Sequence, residues 1–170
     1  MGDVYKTDDS WMQGIDFSDQ KETIKALDSR DALGFNGKLN VRFLEQSSDR
    51  AVVALDITED LFQPFGFMHG GVTLALIESA ASRAVDLRCD FSKERPFGIS
   101  ISVEHKKPGK SGVLRAVAEL SHEEKNKQFW NVKALDDVDD IISEGTFVTK
   151  IVSLERLAQK DRERKFVCSE

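Results

Sequence analysis

The sequence has too few cysteines for a covalent framework. Only Cys89 and Cys168 occur in 170 residues, which excludes a disulfide scaffold and a cysteine-ligated metal site and leaves two free thiols in a reducing compartment as the expectation. No apolar run reaches the roughly 20 residues that span a bilayer, and the charged start lacks the basic and apolar segments of a secretory signal. Lys6 stands where a myristoylation signal after Met1-Gly2 has Ser or Thr. Positive charge is also short. The 24 Lys and Arg against 30 Asp and Glu give a formal charge of -6, which argues against a general nucleic-acid or anionic-membrane surface. A cytoplasmic protein is expected, in which any anionic ligand is met by local positive charge. Internal repeats and low-complexity segments are missing as well.

What is present suits one domain that can bury a real core, with extra length at both ends. Residues 1–18 are polar with isolated anchors (Trp11, Met12, Ile15, Phe17) and are expected to be a loosely attached arm. Candidate N-caps from Ser18, then Ile24 and Leu27 at helical spacing, predict a short helix over 18–28. Gly34 and Gly37 mark a turn. Leu39, Val41 and Phe43 alternate with polar residues over 38–46, and 50–57 is rich in Val and Leu, so a hairpin is predicted.

The stretch 72–87 lacks proline and interior glycine and predicts a helix about 25 Å long. Leu74, Ile77, Ala80, Ala81, Ala84, Val85 and Leu87 fill one arc, whereas Ser79, Ser82, Arg83 and Asp86 crowd the other side, with Glu78 at the boundary. Alternation then predicts strands at 98–105, 113–120, 129–135 and 141–152. The acidic run 136–140 is expected to be a solvated hairpin tip, and a C-terminal helix is expected from Leu154. Six mostly antiparallel strands and one apolar helix make an α+β domain whose sheet must wrap the helix, because nothing else can cover its apolar circumference. That is the arrangement of the hotdog fold. The expected divisions are 1–37 for an N-terminal arm and short helix, 38–152 for the core domain, and 153–170 for a C-terminal helix and tail.

Chemistry concentrates where Gln63-Pro64-Phe65-Gly66-Phe67-Met68-His69-Gly70-Gly71 meets that long helix. Two glycines at a helix start leave N–H groups unobstructed, and the helix dipole adds partial positive charge there. Such a site suits a carbonyl oxygen that becomes negative on attack; the alternative is that the glycines only allow a tight turn. Glu78, bordering the apolar arc, must be desolvated or paired, as a base or nucleophile in the first case or with Arg83 or another basic group in the second. Glu78 lies eight residues beyond Gly70, about 12 Å along a helix. A base and an oxyanion donor must both meet one reacting carbon at about 3 Å. If both serve one reaction, two helices must lie antiparallel in a homodimer with composite sites.

The segment 63–82 resembles the hotdog acyl-CoA thioesterases, especially the 4-hydroxybenzoyl-CoA, 1,4-dihydroxy-2-naphthoyl-CoA and phenylacetic-acid-pathway types. The likeness extends more weakly over 38–152. It implies that Glu78 acts as general base or nucleophile, that Gly70 supplies the oxyanion N–H, that Gln63 and His69 position and polarise the thioester, and that Ser82 assists the carboxylate or water. It places Gly71, Phe65, Phe67 and Met68 along the substrate. His105 and Lys107, in His105-Lys106-Lys107-Pro108, match the family's basic segment, and His122 and Lys125 stand at its His-x-Gly-Arg turn, with Glu124 replacing glycine and lysine replacing arginine. Substrate binding by an acyl-CoA is thereby implied, with coenzyme A as part of the substrate, no further cofactor, no metal, no nucleic acid and no membrane. A homodimer is required, and a dimer of dimers is the larger option. Two rivals stay open: a non-catalytic acyl-CoA-binding regulator, and a dehydratase or hydratase of the same fold.

Overall fold

The structure, a computed structural model, describes residues 9–167. The elements run α1 (Gln20–Asp31), α2 (Phe35–Lys38), β1 (Arg42–Gln46), β2 (Arg50–Asp56), α3 (Gly70–Asp86), β3 (Glu94–His105), β4 (Val113–Glu124), β5 (Lys127–Leu135), β6 (Ile141–Ser153) and α4 (Leu154–Val167). The six strands form one antiparallel sheet in the order β1-β2-β4-β5-β6-β3, so β1 and β3 are its edges. Cys168, residues 1–8 and the end of the C-terminal tail lie outside the described residues.

α3 is the element that the sheet encloses. Leu76, Ile77, Ala80, Ala81, Ala84 and Val85 are all buried, and they pack with Val53, Leu55, Leu114, Ala116, Trp130, Val132 and Phe147 from the strands. Three alanines within five positions let the helix approach the sheet closely. At about 25 cal/mol per Å² of apolar surface buried, this contact is a large stabilising contribution in the fold. Period-two burial in β4 and β5 supplies the matching surface, with Leu114, Ala116 and Ala118 and then Trp130, Val132 and Ala134 facing inward. A buried polar chain in that layer is satisfied: Trp130 Nε1–H donates to Thr149 Oγ1 at 2.9 Å, and Thr149 donates to Gln128 Oε1 at 3.1 Å.

Several expectations shift. The strand expected over 38–46 begins only at Arg42, because Phe35–Lys38 wind into α2. Gly37 allows this, since any Cβ there would collide with the Ala32 carbonyl. β3 begins at Glu94 and accommodates Pro96, which an edge strand tolerates. The helix over 18–28 runs to Asp31, capped by Asp19, whose carboxylate accepts from the N–H groups of Lys21 and Glu22.

The described part of the N-terminal arm is not loose. Trp11 packs edge-on against Phe17, Phe17 against buried Phe91, and Asp9 pairs with Arg95 at 2.8 Å. The acidic run 136–140 is also more than a solvated tip. Lys107 reaches Asp136 and Asp140 at 2.6 and 2.8 Å, Arg115 reaches Asp139 at 2.5 Å, and Asp137 accepts from Val113 N–H. The Lys107 hydrogen bond holds the Asp136 carboxyl below its ordinary range. Cys89 is a half-buried free thiol pushed up to about 12 by burial. No described helix is long and apolar enough to cross a membrane.

Arg83 departs most from the expected polar face, being only 1% exposed. Its guanidinium pairs with Asp28 and Asp31 of α1, bonds Gln46 of β1, and lies 3.7 Å from the Phe43 ring centroid. The alternative pairing with Glu78 is not made; Arg83 instead clamps α1 to the central helix and the first strand. Asp86, half-buried beside it, has its carboxyl pushed up to about 7 by loss of solvation, partly opposed by Arg83 and reinforced by Asp31.

Two predictions follow from this cluster. Arg83→Met leaves Asp28 and Asp31 without their partner; because both aspartates keep access to water, the loss of stability is about 2 kcal/mol in urea unfolding, below the range for fully buried pairs. The native state binds the Asp86 proton more tightly than the unfolded chain, so this residue costs stability progressively as pH rises from about 4 through about 7. Asp86→Asn should therefore raise the urea midpoint at pH 8, with the gain gone by pH 4; an equal gain at both pH values would contradict the assignment.

Candidate active site

The loop before α3 is tied down at each end of its turn. Gln63 N–H donates to the Phe67 carbonyl at 2.8 Å, Gly66 takes φ +78° at the tip, Met68 N–H donates to Gly109 O at 2.9 Å, and His69 N–H donates to Leu61 O at 2.8 Å. These bonds deliver His69 to the N-cap of α3. Its Nδ1 accepts from Gly71 N–H at 2.9 Å, and its carbonyl accepts from Val72 N–H. Of the two glycine N–H groups expected to be free, Gly71's is therefore occupied. Gly70 N–H has no acceptor among the described residues and stands at the positive end of a 17-residue helix.

Gly70 opens onto a cavity of about 380 Å³ that Gln63, Met68, Thr73, His105, Lys107 and Gly109 also line. His105 comes closest: a Cβ on Gly70 would lie 3.0 Å from its Nε2. A side chain at this position would press on the imidazole, so glycine lets the ring approach closely. Lys107 is committed to Asp136 and Asp140, so its charge is largely neutralised.

Glu78 is elsewhere. It is exposed in the single chain, and it lines a groove of about 410 Å³ with Ser79, Ser82, Arg83 and Asp86 of α3 and Asp31, Phe35 and Asn36 of the N-terminal segment. The desolvation expected of this carboxylate is thus not supplied within one chain. Ser79 Oγ donates to Asn36 Oδ1 at 2.7 Å, and Asn36 Nδ2 donates to Asp31 at 3.1 Å, which fixes the segment on the helix face. Edge strand β3 passes alongside. A Cβ on Gly98 would come 2.9 Å from Glu78 Oε1, and a bulge between Gly98 and Ser100 interrupts the pairing with β6 there.

The expected residues therefore fall into separate groups. Gln63, Gly70, Met68, His105 and Lys107 share one cavity, and Glu78 and Ser82 share another. Phe65 is 81% exposed at the turn tip, and Phe67 lies under Lys110 Nζ at 4.8 Å from its ring centroid. His122 stacks on Phe129 with centroids 4.4 Å apart, and Lys125 occupies the β4–β5 turn at φ 56°. Neither is among the residues lining the two cavities. The sequence reading missed His105 against Gly70, Gly98 against Glu78, and the contribution of Phe35 and Asn36. The His105 position could be found only from strand register, which pairs it with Ser143.

Comparison with known proteins gives this geometry a context. Residues 65–142 match the thioesterase superfamily. Over 112 residues the chain is 33% identical to a 1,4-dihydroxy-2-naphthoyl-CoA hydrolase of Listeria monocytogenes, a match covering 65% of this chain and 89% of that protein. A thioesterase of Staphylococcus aureus superposes with a TM-score of 0.66 at 27% identity, over 68% of this chain and 96% of that one. One of Pseudomonas aeruginosa superposes with a TM-score of 0.71 at 23% identity, over 85% of this chain and 99% of that one, and speaks for the fold alone. The S. aureus protein has been crystallised with a glutamine and, separately, a glutamate replaced by alanine. The chain belongs to the thioesterase superfamily, the hydrolases built on the hotdog fold.

Proposed function

We propose that this protein hydrolyses an acyl-CoA thioester to the free acid and CoA at two equivalent sites, each shared between the subunits of a homodimer. The observation that carries this reading is the partition of the motif. One rigid helix presents a free N–H at Gly70 and a carboxylate at Glu78, and the two open onto separate cavities. A second helix lying antiparallel brings the Gly70 end of one chain to the Glu78 groove of the other.

The sheet edge supports such an arrangement. β3 is a 12-residue edge strand, and Phe97 and Ile99, 44% and 47% exposed, flank the glycine that abuts Glu78. A long edge strand with exposed apolar side chains is a surface for pairing. Covering it with a second copy would also remove water from Glu78, which the single chain leaves exposed.

In the composite site the thioester oxygen accepts from Gly70 N–H, and the helix dipole stabilises the charge that grows on it. Gln63 orients the thioester from the same cavity wall. The partner's Glu78 either attacks the carbonyl carbon, expelling CoA thiolate and leaving a mixed anhydride that water opens, or removes a proton from the attacking water. Ser82, one turn on, holds that carboxylate or water. His69 acts by capping α3, which fixes the direction of the Gly70 N–H. Water and the thioester are the only reactants.

Release of free thiol from a panel of acyl-CoAs tests the activity. Wild type should release it, and Glu78→Ala should lower kcat by about 10³-fold; equal rates would remove Glu78 from the reaction, and tight binding without any release by wild type would leave only a binding protein. Sharing between subunits has its own test. Glu78→Ala and Gly70→Val chains, carried on different tags and purified as mixed dimers, should regain about half the wild-type rate because one of two sites is then intact. Mixed dimers as inactive as the two parent variants would refute the shared site.

A further inference from the structure

We propose that Ser143 is a positioning residue that holds His105 with its proton on Nε2, so that the imidazole becomes a second hydrogen-bond donor to the thioester oxygen beside Gly70 N–H. The inference rests on the hydrolase reading above, and it gives His105, expected only as part of a basic substrate-binding segment, a place at the reacting end of the substrate.

The argument begins with strand register. His105 is the last residue of β3 and pairs with Ser143 of β6, and Lys106 N–H donates to Ile142 O at 2.8 Å, which pins the strand end. Ser143 is fully buried, and its Oγ lies 2.8 Å from His105 Nδ1. Either group could donate across that distance, and the rest of the serine's surroundings decide between them. Nδ1 is the only hydrogen-bond partner of Oγ among the described residues. Were Nδ1–H the donor, the serine O–H would be buried without an acceptor, at a cost of about 1–3 kcal/mol. With Ser143 donating, both groups are satisfied, and the neutral ring must carry its proton on Nε2.

Nε2 is also the atom that faces the site. It lies 3.0 Å from where a Gly70 Cβ would be, at the wall of the cavity that Gln63 and Lys107 share. A donor there converges with Gly70 N–H on one oxygen. His69 shows the contrast: its Nδ1 accepts from Gly71 N–H, so its ring is used to cap the helix. Lys107, two residues from His105, is held between two aspartates and does not compete for the oxyanion. Removing a preorganised oxyanion donor typically costs about 10²–10³ in kcat. Loosening one by losing its orienting partner should cost less, about tenfold.

The test joins a spectrum to a double-mutant cycle. Long-range ¹H–¹⁵N correlation of ¹⁵N-histidine-labelled dimer, with the His105 signal assigned by its loss in His105→Gln, should show the proton on Nε2 in wild type and a mixture of tautomers in Ser143→Ala. Ser143→Ala should lower kcat about tenfold with KM little changed. In a His105→Gln background, where an amide N–H replaces Nε2–H, Ser143→Ala should have no further effect. A wild-type spectrum with the proton on Nδ1, or an equal loss from Ser143→Ala in both backgrounds, would overturn the proposal. A wild type that hydrolyses no acyl-CoA would overturn the hydrolase reading and the role of His105 with it, an outcome told apart from the others because the tautomer is read without turnover.

Discussion

The burial of α3 inside its own sheet is the constraint from which the site follows. A helix whose buried face is made of Leu76, Ile77, Ala80, Ala81, Ala84 and Val85 cannot slide or rotate without opening cavities across four strands, and each large-to-small change in such a core typically costs about 2–5 kcal/mol. The position of its first N–H and the direction of its third-turn carboxylate are therefore fixed together. Rigidity of that kind is useful for an oxyanion donor, which stabilises charge only if it does not have to reorganise. It also prevents one chain from bringing its own Gly70 and Glu78 to a single carbon, which is why the proposed reaction calls on a second subunit.

Electrostatics follow the same economy. The protein is acidic, and many of its cations near the site are already paired: Lys107 with Asp136 and Asp140, Lys106 with Glu104, Arg83 with Asp28 and Asp31. What remains at the Gly70 cavity is a helix N-terminus and a histidine whose Nδ1 faces the buried Ser143. N–H donors of this type suit an oxygen whose negative charge is transient, since they bind the ground state weakly and the developing oxyanion more strongly. A free lysine in the same place would hold anions in the resting site.

Much of the fold was legible in the sequence, and the reason is local. Period-two alternation in β4, β5 and β6 and the uninterrupted apolar arc of α3 are signals carried by neighbouring residues, as are the cap and glycines at the α3 start. What the sequence did not show depends on contacts between distant segments. Arg83 looks like a solvent-facing residue on a helical wheel, and only α1 and β1, 52 and 37 residues away, make it a buried clamp. The acidic run 136–140 looks like a polar turn until Lys107 and Arg115 are folded against it. At the candidate site, Glu78 and Gly70 are proposed from the helix start, the border of the apolar arc and the family resemblance, whereas His105 is placed beside Gly70 only by the β3–β6 register.

The N-terminal segment and the core meet at the Glu78 groove. Asp31, Phe35 and Asn36 precede the first strand, yet they line the same groove as Glu78 and Ser82. Their placement is specified twice, by the Arg83 clamp on α1 and by the Ser79–Asn36 hydrogen bond on the face of α3. Phe35 thereby sits beside the carboxylate with 61% of its surface exposed, an apolar side chain held in place by polar bonds on either side of it. On the proposed reading, an acyl group at Glu78 would lie beside this ring. The segment that carries it is joined to the Glu78 groove through the same helix that fixes Gly70, so the N-terminal segment, the central helix and the edge strand meet around this carboxylate.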